Sequence, residues 1–125
     1  MNNIVWVVHP CDNTDIAPAH NWGDLRFINA GYANPNDVIN RCLSREIMEN
    51  LITAARDFNS NKDFLLIAGD HLQLMQMSFL LAERSKAYTV LRWDRHANGY
   101  YPVRIIFTTH PLQRRDDRAR IGIST

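Results

Sequence analysis

Cysteine and long apolar runs are scarce in this sequence, and each scarcity excludes a class of protein. Its two cysteines, Cys11 and Cys42, are too few for a disulfide framework, so we expect thiols in a reducing compartment. No apolar stretch approaches the ~20 residues that span a bilayer. The first residues also lack the basic segment that opens a signal peptide. The sequence therefore predicts a cytoplasmic protein that does not associate with a membrane.

An excess of one charge is also missing. Lysine and arginine total 14, aspartate and glutamate total 13, and the formal net charge is +1. Nucleic-acid-binding proteins carry clustered positive charge, so this balance disfavours nucleic acid as a partner. The exception follows Pro111, where four arginines accompany two aspartates. We therefore predict one α/β domain over residues 1–111 and an Arg-rich tail over residues 112–125.

Glycine-rich nucleotide loops and metal-binding patterns are absent as well. A single glycine, Gly69, follows the apolar run that ends at Ala68, so neither a G-x-G-x-x-G loop nor a P-loop is present. The chain has no Cys-x-x-Cys, no His-Glu-x-x-His and no G-x-S-x-G sequence. The sequence thus predicts no metal site and identifies no cofactor.

Short apolar runs are present, and they predict the strands. The clearest ones cover residues 4–8, 64–68, 88–91 and 103–107, with a weaker run at 25–30, and the run at 4–8 is rich in β-branched residues. Asn98-Gly99 is typical of a type I′ turn, in which both central residues have positive φ. The last two strands should therefore form an antiparallel hairpin.

Two amphipathic stretches predict helices. The first is expected to begin near Pro35 and Asp37 and to end after Phe58. The second is expected to extend from about Asp70 to Lys86. The predicted order is β-β-α-β-α-β-β, and right-handed crossovers would give a mostly parallel sheet. We interpret this as a small Rossmann-like layered α/β domain with an antiparallel C-terminal hairpin.

Candidate catalytic residues follow two of the predicted strands. His9 and Asp12 come after the first strand, and Asp70 and His71 come after the strand that ends at Ala68. The carboxyl ends of parallel strands meet at one edge of a sheet, where imidazole and carboxylate groups can perform acid–base chemistry. The helical wheel directs His71 inward, towards His9. The alternative is structural, with Asp70 as a helix N-cap and the histidines as satisfied polar residues.

Candidate ligand-binding residues lie at the end of the next predicted strand. Arg92 and Arg95 have the geometry to hold a phosphate or a carboxylate, and Trp93 can stack on a base. The alternative is that these side chains form cross-strand pairs beside the hairpin turn.

The second helix also carries a candidate partner interface. Its wheel places Met77 and Leu80 on the face turned to solvent, and an exposed apolar pair suggests a contact surface. We expect that surface to bind a host protein or a second copy of the chain, giving a homodimer. Scattered exposed apolar residues are the alternative.

Three segments resemble short proteins encoded by bacteriophages. The segments are Ala68-Gly69-Asp70-His71-Leu72-Gln73-Leu74, Leu91-Arg92-Trp93-Asp94-Arg95 and Tyr100-Tyr101-Pro102-Val103. The resemblance covers roughly the C-terminal half of the chain and carries no activity with it. It implies a small cytoplasmic protein made in an infected bacterium, and many such proteins bind and redirect a host component.

These observations give three hypotheses of function. The leading one is a small α/β binding module that contacts a host protein, a second copy or a small ligand. The second is an enzyme acting on a nucleotide or another phosphorylated metabolite through His9, Asp12, Asp70 and His71, with Arg92 or Arg95 holding the anion. The third is a nucleic-acid binder that uses Trp93 and the Arg-rich tail, and the near-neutral charge favours it least.

Overall fold

A computed structural model describes residues 2–11 and 15–107. The candidate Asp12 and the predicted tail, residues 112–125, lie outside the described residues. The described elements, in chain order, are β1 (Ile4–Val7), β2 (Asp24–Phe27), β3 (Val38–Ile39), β4 (Cys42–Leu43), α1 (Arg45–Asp57), β5 (Phe64–Leu66), α2 (His71–Arg84), β6 (Ala87–Asp94) and β7 (Gly99–Ile106). Short 3₁₀ turns cover Ala17–Asn21 and Pro35–Asp37.

Five strands form one sheet in the order β2-β1-β5-β6-β7. The first four are parallel, and β7 pairs antiparallel with β6. The predicted mixed α/β fold, with a mostly parallel sheet and an antiparallel C-terminal hairpin, is therefore confirmed. Buried parallel strands need apolar residues on both faces, which is why Val5, Trp6 and Val7 follow one another without a polar interruption.

The two faces of the sheet are covered differently. Both helices pack on one face, over a core that includes Trp6, Leu65 and Val90. Val5, Leu66 and other strand residues point to the opposite face, where residues of the loop and 3₁₀ turn after β1 cover them. A doubly wound Rossmann fold has helices on both faces, so the Rossmann-like part of the prediction is not confirmed.

The predicted start of the first helix is wrong. Pro35 and Asp37 form a 3₁₀ turn that Asn34 caps, and the short β3–β4 hairpin comes next. Helix α1 begins at Arg45, where the Ser44 side chain accepts a hydrogen bond from the Ile47 N–H. Cys42 accordingly lies in a strand and not in a helix. Pro35 and Asp37 therefore do begin a helical turn, but it is a single 3₁₀ turn and the chain continues as strand β3.

The type I′ geometry occurs in the β3–β4 hairpin, which was not predicted, and not at Asn98-Gly99, where it was expected. Asn98 has a φ of 52°, yet Gly99 is already the first residue of β7 and is not among the residues with positive φ. The connection is therefore a longer loop, and the predicted type I′ turn at Asn98-Gly99 is wrong. Both central residues of the β3–β4 hairpin, Asn40 and Arg41, have positive φ, at 52° and 68°. Positive φ at both positions is the type I′ condition.

The predicted orientation of α2 is also wrong. Met77, expected on the solvent face, is fully buried, and Leu80 is partly buried against the same core. The exposed apolar residues of α2 are Leu72, Met75 and Phe79. Hydrophobicity alone misplaced the inner face because Gln73, a polar residue, is fully buried there.

Among the described residues, none of the helices combines the length and the apolar character that a membrane crossing requires.

Candidate functional site

The carboxyl ends of β1 and β5 meet at one edge of the sheet, and two predicted site residues come together there. His9 is fully buried just beyond β1, and Asp70 is buried just before α2. The His9 Nε2 atom accepts a hydrogen bond from the Asp70 N–H at 3.0 Å. Because β2 and β5 flank β1 on opposite sides, this is the position where open α/β sheets commonly bind ligands.

Both ring nitrogens of His9 are occupied by backbone groups. Nε2 is an acceptor, as described, and Nδ1 lies 2.6 Å from the Pro10 carbonyl oxygen, which can only accept. The ring is therefore neutral with its proton on Nδ1. Neither nitrogen is left to act as a base, so His9 links the end of β1 to the start of α2.

Asp70 caps α2 and anchors a neighbouring loop. Its Oδ1 accepts from the Leu72 N–H at 3.0 Å, and its Oδ2 accepts from the Ala33 N–H at 2.8 Å and from the Gln73 amide at 3.1 Å. Burial alone would raise the pKa of this carboxyl, but the hydrogen bonds, led by that of Ala33, hold the pKa below its usual value. Asp70 is thus an ionised structural carboxylate, and the predicted N-cap role is confirmed.

A chain of buried amides extends from this carboxylate into α1. The Gln73 amide donates to the Gly31 carbonyl oxygen at 2.9 Å and accepts from the Asn29 amide at 2.9 Å. Asn29 in turn accepts from Asn50 of α1 at 2.8 Å. Buried polar groups are costly unless they are paired, and here each member has its partners. The network fastens both helices and the loop after β2 to this edge of the sheet.

Sequence reasoning missed Asn29, Gln73 and Tyr32. The Tyr32 ring packs against His9, with ring centroids 4.3 Å apart. No local pattern marks these residues, since each acquires its role from partners 20 or more positions away in the chain, as the bonds from Asn29 to Gln73 and to Asn50 show.

The open space at this edge is a shallow pocket of about 270 Å³ beside Gly69. Gly69 has a φ of +99°, and a Cβ there would lie 3.0 Å from His9 Nε2, so the position requires glycine. His71 lines this pocket but its side chain is exposed. The prediction that His71 points inward is therefore wrong.

The edge of the sheet consequently offers little for catalysis. His9 and Asp70 are committed to backbone and amide partners, and His71 is turned to solvent. Within the part of the chain that the structure describes, no group of three or more His, Cys, Asp or Glu side chains is arranged to hold a metal ion.

The predicted ligand-binding residues do lie together. Arg92, Trp93 and Arg95 line a groove of about 490 Å³ at the tip of the β6–β7 hairpin, which we call the hairpin groove; its other lining residues are Asp94, His96 and Tyr101.

Another concave surface lies on the outer side of α2. This surface, the apolar groove, has a volume of about 640 Å³ and runs between α2, the start of α1 and the β3–β4 hairpin. Its lining residues are Val38, Arg41, Cys42, Leu43, Met48, Leu72, Met75, Gln76 and Phe79. The spacing of Leu72, Met75 and Phe79, at i, i+3 and i+7, was the signal in the sequence that indicates one helical stripe.

A family model described as phage Pam3 gp32-like protein matches residues 5–107. The chain belongs to the phage Pam3 gp32-like family. The match begins in β1 and ends just after β7, so it includes the sheet, both helices and all three surfaces described above. It confirms the resemblance to bacteriophage-encoded proteins. No curated protein and no solved structure matches the chain. The family description names no activity, so a function has to be argued from the surfaces themselves.

Proposed function

We propose that this protein is a binding module that holds an amphipathic helix of a host protein in the apolar groove. The observation that carries the proposal is the exposed stripe of α2. Leu72, Met75 and Phe79 are 49%, 69% and 59% exposed, and all three line the same groove. Grooves of this kind take a helix through anchors spaced at i, i+3, i+4 and i+7.

The stripe lies on the opposite side of α2 from the core. At ~100° per residue, the direction midway between Leu72, Met75 and Phe79 is roughly opposite to that of Met77. One helix therefore carries two apolar faces. The inner face buries Leu74, Met77 and Leu81, so the outer face contributes nothing to the core. Exposed apolar residues concentrated on one concave surface are characteristic of interaction sites.

The β3–β4 hairpin forms the wall of the apolar groove that faces α2, and its Arg41 indicates the charge of the partner. Arg41 has a left-handed backbone conformation, with a φ of 68°, which is strained for a residue with a side chain. It is the one charged residue among the described residues that line the groove. Strained backbone is often retained at functional sites. We therefore expect the partner helix to carry an acidic residue that faces Arg41.

The shape of the surface favours a different protein over a second copy. A two-fold dimer interface uses the same patch on both subunits, so the patch must complement itself. A concave groove does not meet this condition, whereas a convex rod such as a helix fits it. Membership in a phage family makes a protein of the bacterial host the natural source of that helix.

A pull-down comparison tests the proposal. Tagged wild-type protein and two variants, Met75→Glu and Ile106→Glu, are incubated with host lysate, and the retained protein is identified and purified. Ile106 is 70% exposed, close to the 69% of Met75, and it lies on β7, outside the groove. The purified partner should bind wild type and Ile106→Glu equally, and Met75→Glu at least about tenfold more weakly by calorimetry.

Two results would contradict the proposal. One is a partner whose affinity is the same for Met75→Glu and wild type. The other is a wild-type dimer, detected by light scattering, that Met75→Glu converts to a monomer, because the groove would then be filled by a second copy.

A further inference from the structure

The β6–β7 hairpin extends beyond the rest of the sheet. β5 ends at Leu66, which pairs with Leu91, whereas β6 continues to Asp94. The Ile67 N–H still donates to the Leu91 carbonyl oxygen at 3.0 Å, so Arg92 begins the part of β6 that has no neighbour on the β5 side. The hairpin groove therefore stands at the carboxyl edge of the parallel strands, where α/β sheets bind ligands.

Within residues 2–11 and 15–107, no carboxylate forms an ion pair with the guanidinium groups of the hairpin groove. Among the described residues, the ion pair that the structure contains is Arg45 with Glu49, and neither Arg92 nor Arg95 makes a side-chain hydrogen bond. The carboxylate of the groove, Asp94, accepts a hydrogen bond from the His96 N–H at 2.9 Å and so stabilises the loop. Two arginines in one groove, neither of them in an ion pair with a described residue, form a site suited to an anion.

Aromatic rings complete the groove. Tyr101 pairs in register with Arg92, so the two side chains lie next to each other on one face of the sheet. Tyr101 is 37% exposed, which leaves part of its ring open to a ligand. The ring of Trp93 is held by an edge contact with Tyr100, at 5.0 Å between centroids. Arginine beside an exposed aromatic ring combines a phosphate contact with a surface for a base.

We propose that the hairpin groove binds a free nucleotide, with Arg92 and Arg95 on the phosphates and Tyr101 against the base. Its volume, about 490 Å³, lies in the range of small-molecule sites. A helix N-terminus is the usual alternative site for phosphate, but the Asp70 carboxylate occupies that of α2. The net charge of +1 favours a small ligand over a nucleic acid.

The proposal does not depend on the proposed function, because the hairpin groove and the apolar groove share no residue. Loss of one activity therefore leaves the other measurable.

Titration of the full-length protein tests the nucleotide site. ATP, inorganic pyrophosphate and a short single-stranded DNA are added separately, while calorimetry gives the affinity and NMR follows the indole N–H of Trp93, identified from the signal missing in Trp93→Phe. ATP should bind and shift that signal. The double variant Arg92→Ala/Arg95→Ala should lose at least about tenfold in affinity. The control Arg56→Ala/Arg84→Ala, which removes the same charge from exposed positions of the two helices, should bind as wild type does.

The variant Tyr101→Ala distinguishes recognition of the base from binding of the phosphates. It should weaken ATP binding and leave pyrophosphate binding unchanged. The proposal is overturned if ATP does not bind, or if the arginine variant binds it normally. Pyrophosphate binding as tightly as ATP would show a simple anion site, and DNA binding more tightly than ATP would show a nucleic-acid site. Either result would also overturn the assignment to a free nucleotide.

Discussion

His9 shows how a residue with catalytic potential can be fully used by the fold. Its two ring nitrogens bond to the Asp70 N–H and to the Pro10 carbonyl oxygen. Its ring packs against Tyr32 and lies within 3.0 Å of the position that a Cβ at Gly69 would occupy. At the scale of the residue, His9 therefore contributes to stability, whereas the exposed His71 makes no comparable contribution.

Alanine substitutions should separate these two histidines. His9→Ala leaves a buried N–H without an acceptor and opens a cavity, so we expect the free energy of unfolding to fall by about 3 kcal/mol. His71→Ala should change it by less than about 0.5 kcal/mol. Urea denaturation followed by circular dichroism measures both. Equal effects of the two substitutions would contradict this account of His9.

The lowered pKa of Asp70 makes the stability of the protein depend on pH in the acidic range. Its folded-state pKa is lowered below the unfolded value of 3.8, so its stabilisation is present above that value and is lost as the pH falls through the folded pKa. The substitution Asp70→Asn should lower the free energy of unfolding by about 2 kcal/mol at neutral pH. The stability of this variant should fall less steeply than that of wild type as the pH is lowered. Urea denaturation over a pH series measures the slope, and the exposed Asp57→Asn is the control. An unchanged slope in Asp70→Asn would contradict the prediction.

At the scale of the element, α2 is a helix with two apolar faces. The inner face is completed by Gln73, whose amide bonds to Asn29, Gly31 and Asp70 replace the apolar contact that the position would otherwise need. The outer face carries the exposed stripe that includes Met75. A substitution on the inner face should therefore lower stability, whereas the same substitution on the outer face should weaken partner binding.

Two methionines of α2 provide the comparison. Met77→Ala removes a fully buried side chain and should lower the free energy of unfolding by about 3 kcal/mol. Met75→Ala removes an exposed one and should change it by less than about 0.5 kcal/mol, while weakening partner binding. Thermal or urea denaturation gives the first quantity and calorimetry the second. A larger loss of stability for Met75→Ala than for Met77→Ala would show that α2 is rotated.

In the β3–β4 hairpin, Arg41 has a strained backbone conformation and also lines the apolar groove. Glycine tolerates the left-handed conformation of Arg41, and Asn-Gly is the preferred type I′ pair. Arg41→Gly should therefore raise the free energy of unfolding by about 1 kcal/mol and should weaken binding of the partner helix. Arg45 is an exposed residue of helix α1. The substitution Arg45→Gly should therefore lower the free energy of unfolding. A less stable Arg41→Gly protein would mean that Arg41 is not strained.

At the scale of the whole molecule, the sheet is covered by helices on one face and by a short segment on the other. Ala19, in the 3₁₀ turn of that segment, is fully buried among Val5, Val7 and Leu91. The Tyr100 hydroxyl donates to the Asp15 carbonyl oxygen at 3.0 Å and so fastens the segment to β7. The bond from Tyr100 therefore helps to hold this segment on the face opposite the two α-helices.

Tyr100→Phe tests that attachment. The pKa of Tyr100 is raised by burial and by the negative charges of Asp15 and Cys11. Its stabilising effect is therefore complete below the unfolded pKa of 10 and is lost as the pH rises through the folded pKa. The substitution should lower the free energy of unfolding by about 1 kcal/mol at neutral pH. It should also speed amide hydrogen exchange at Ala19 and Trp22. The exposed Tyr32→Phe should leave exchange there unchanged.

Local features of the sequence were sufficient for the five strands of the main sheet, the antiparallel pairing of β6 with β7 and the cap of α2. Apolar runs such as residues 4–8 specify buried strands because their side chains must leave water on both faces. Asp70 caps α2 because its carboxylate reaches an N–H two residues away. These outcomes depend on neighbours in the chain, so the pattern alone determined them, together with the mixed α/β class.

Tertiary structure alone decided the rotation of α2 and the state of the candidate site. Gln73 turns inward because Asn29 and Gly31, both more than 40 positions earlier, supply its partners. That rotation buries Met77 and exposes Met75. His9 is unavailable as a base because Asp70, 61 positions away, donates to its free nitrogen. Long-range hydrogen bonds fix these side chains, and no local pattern encodes them.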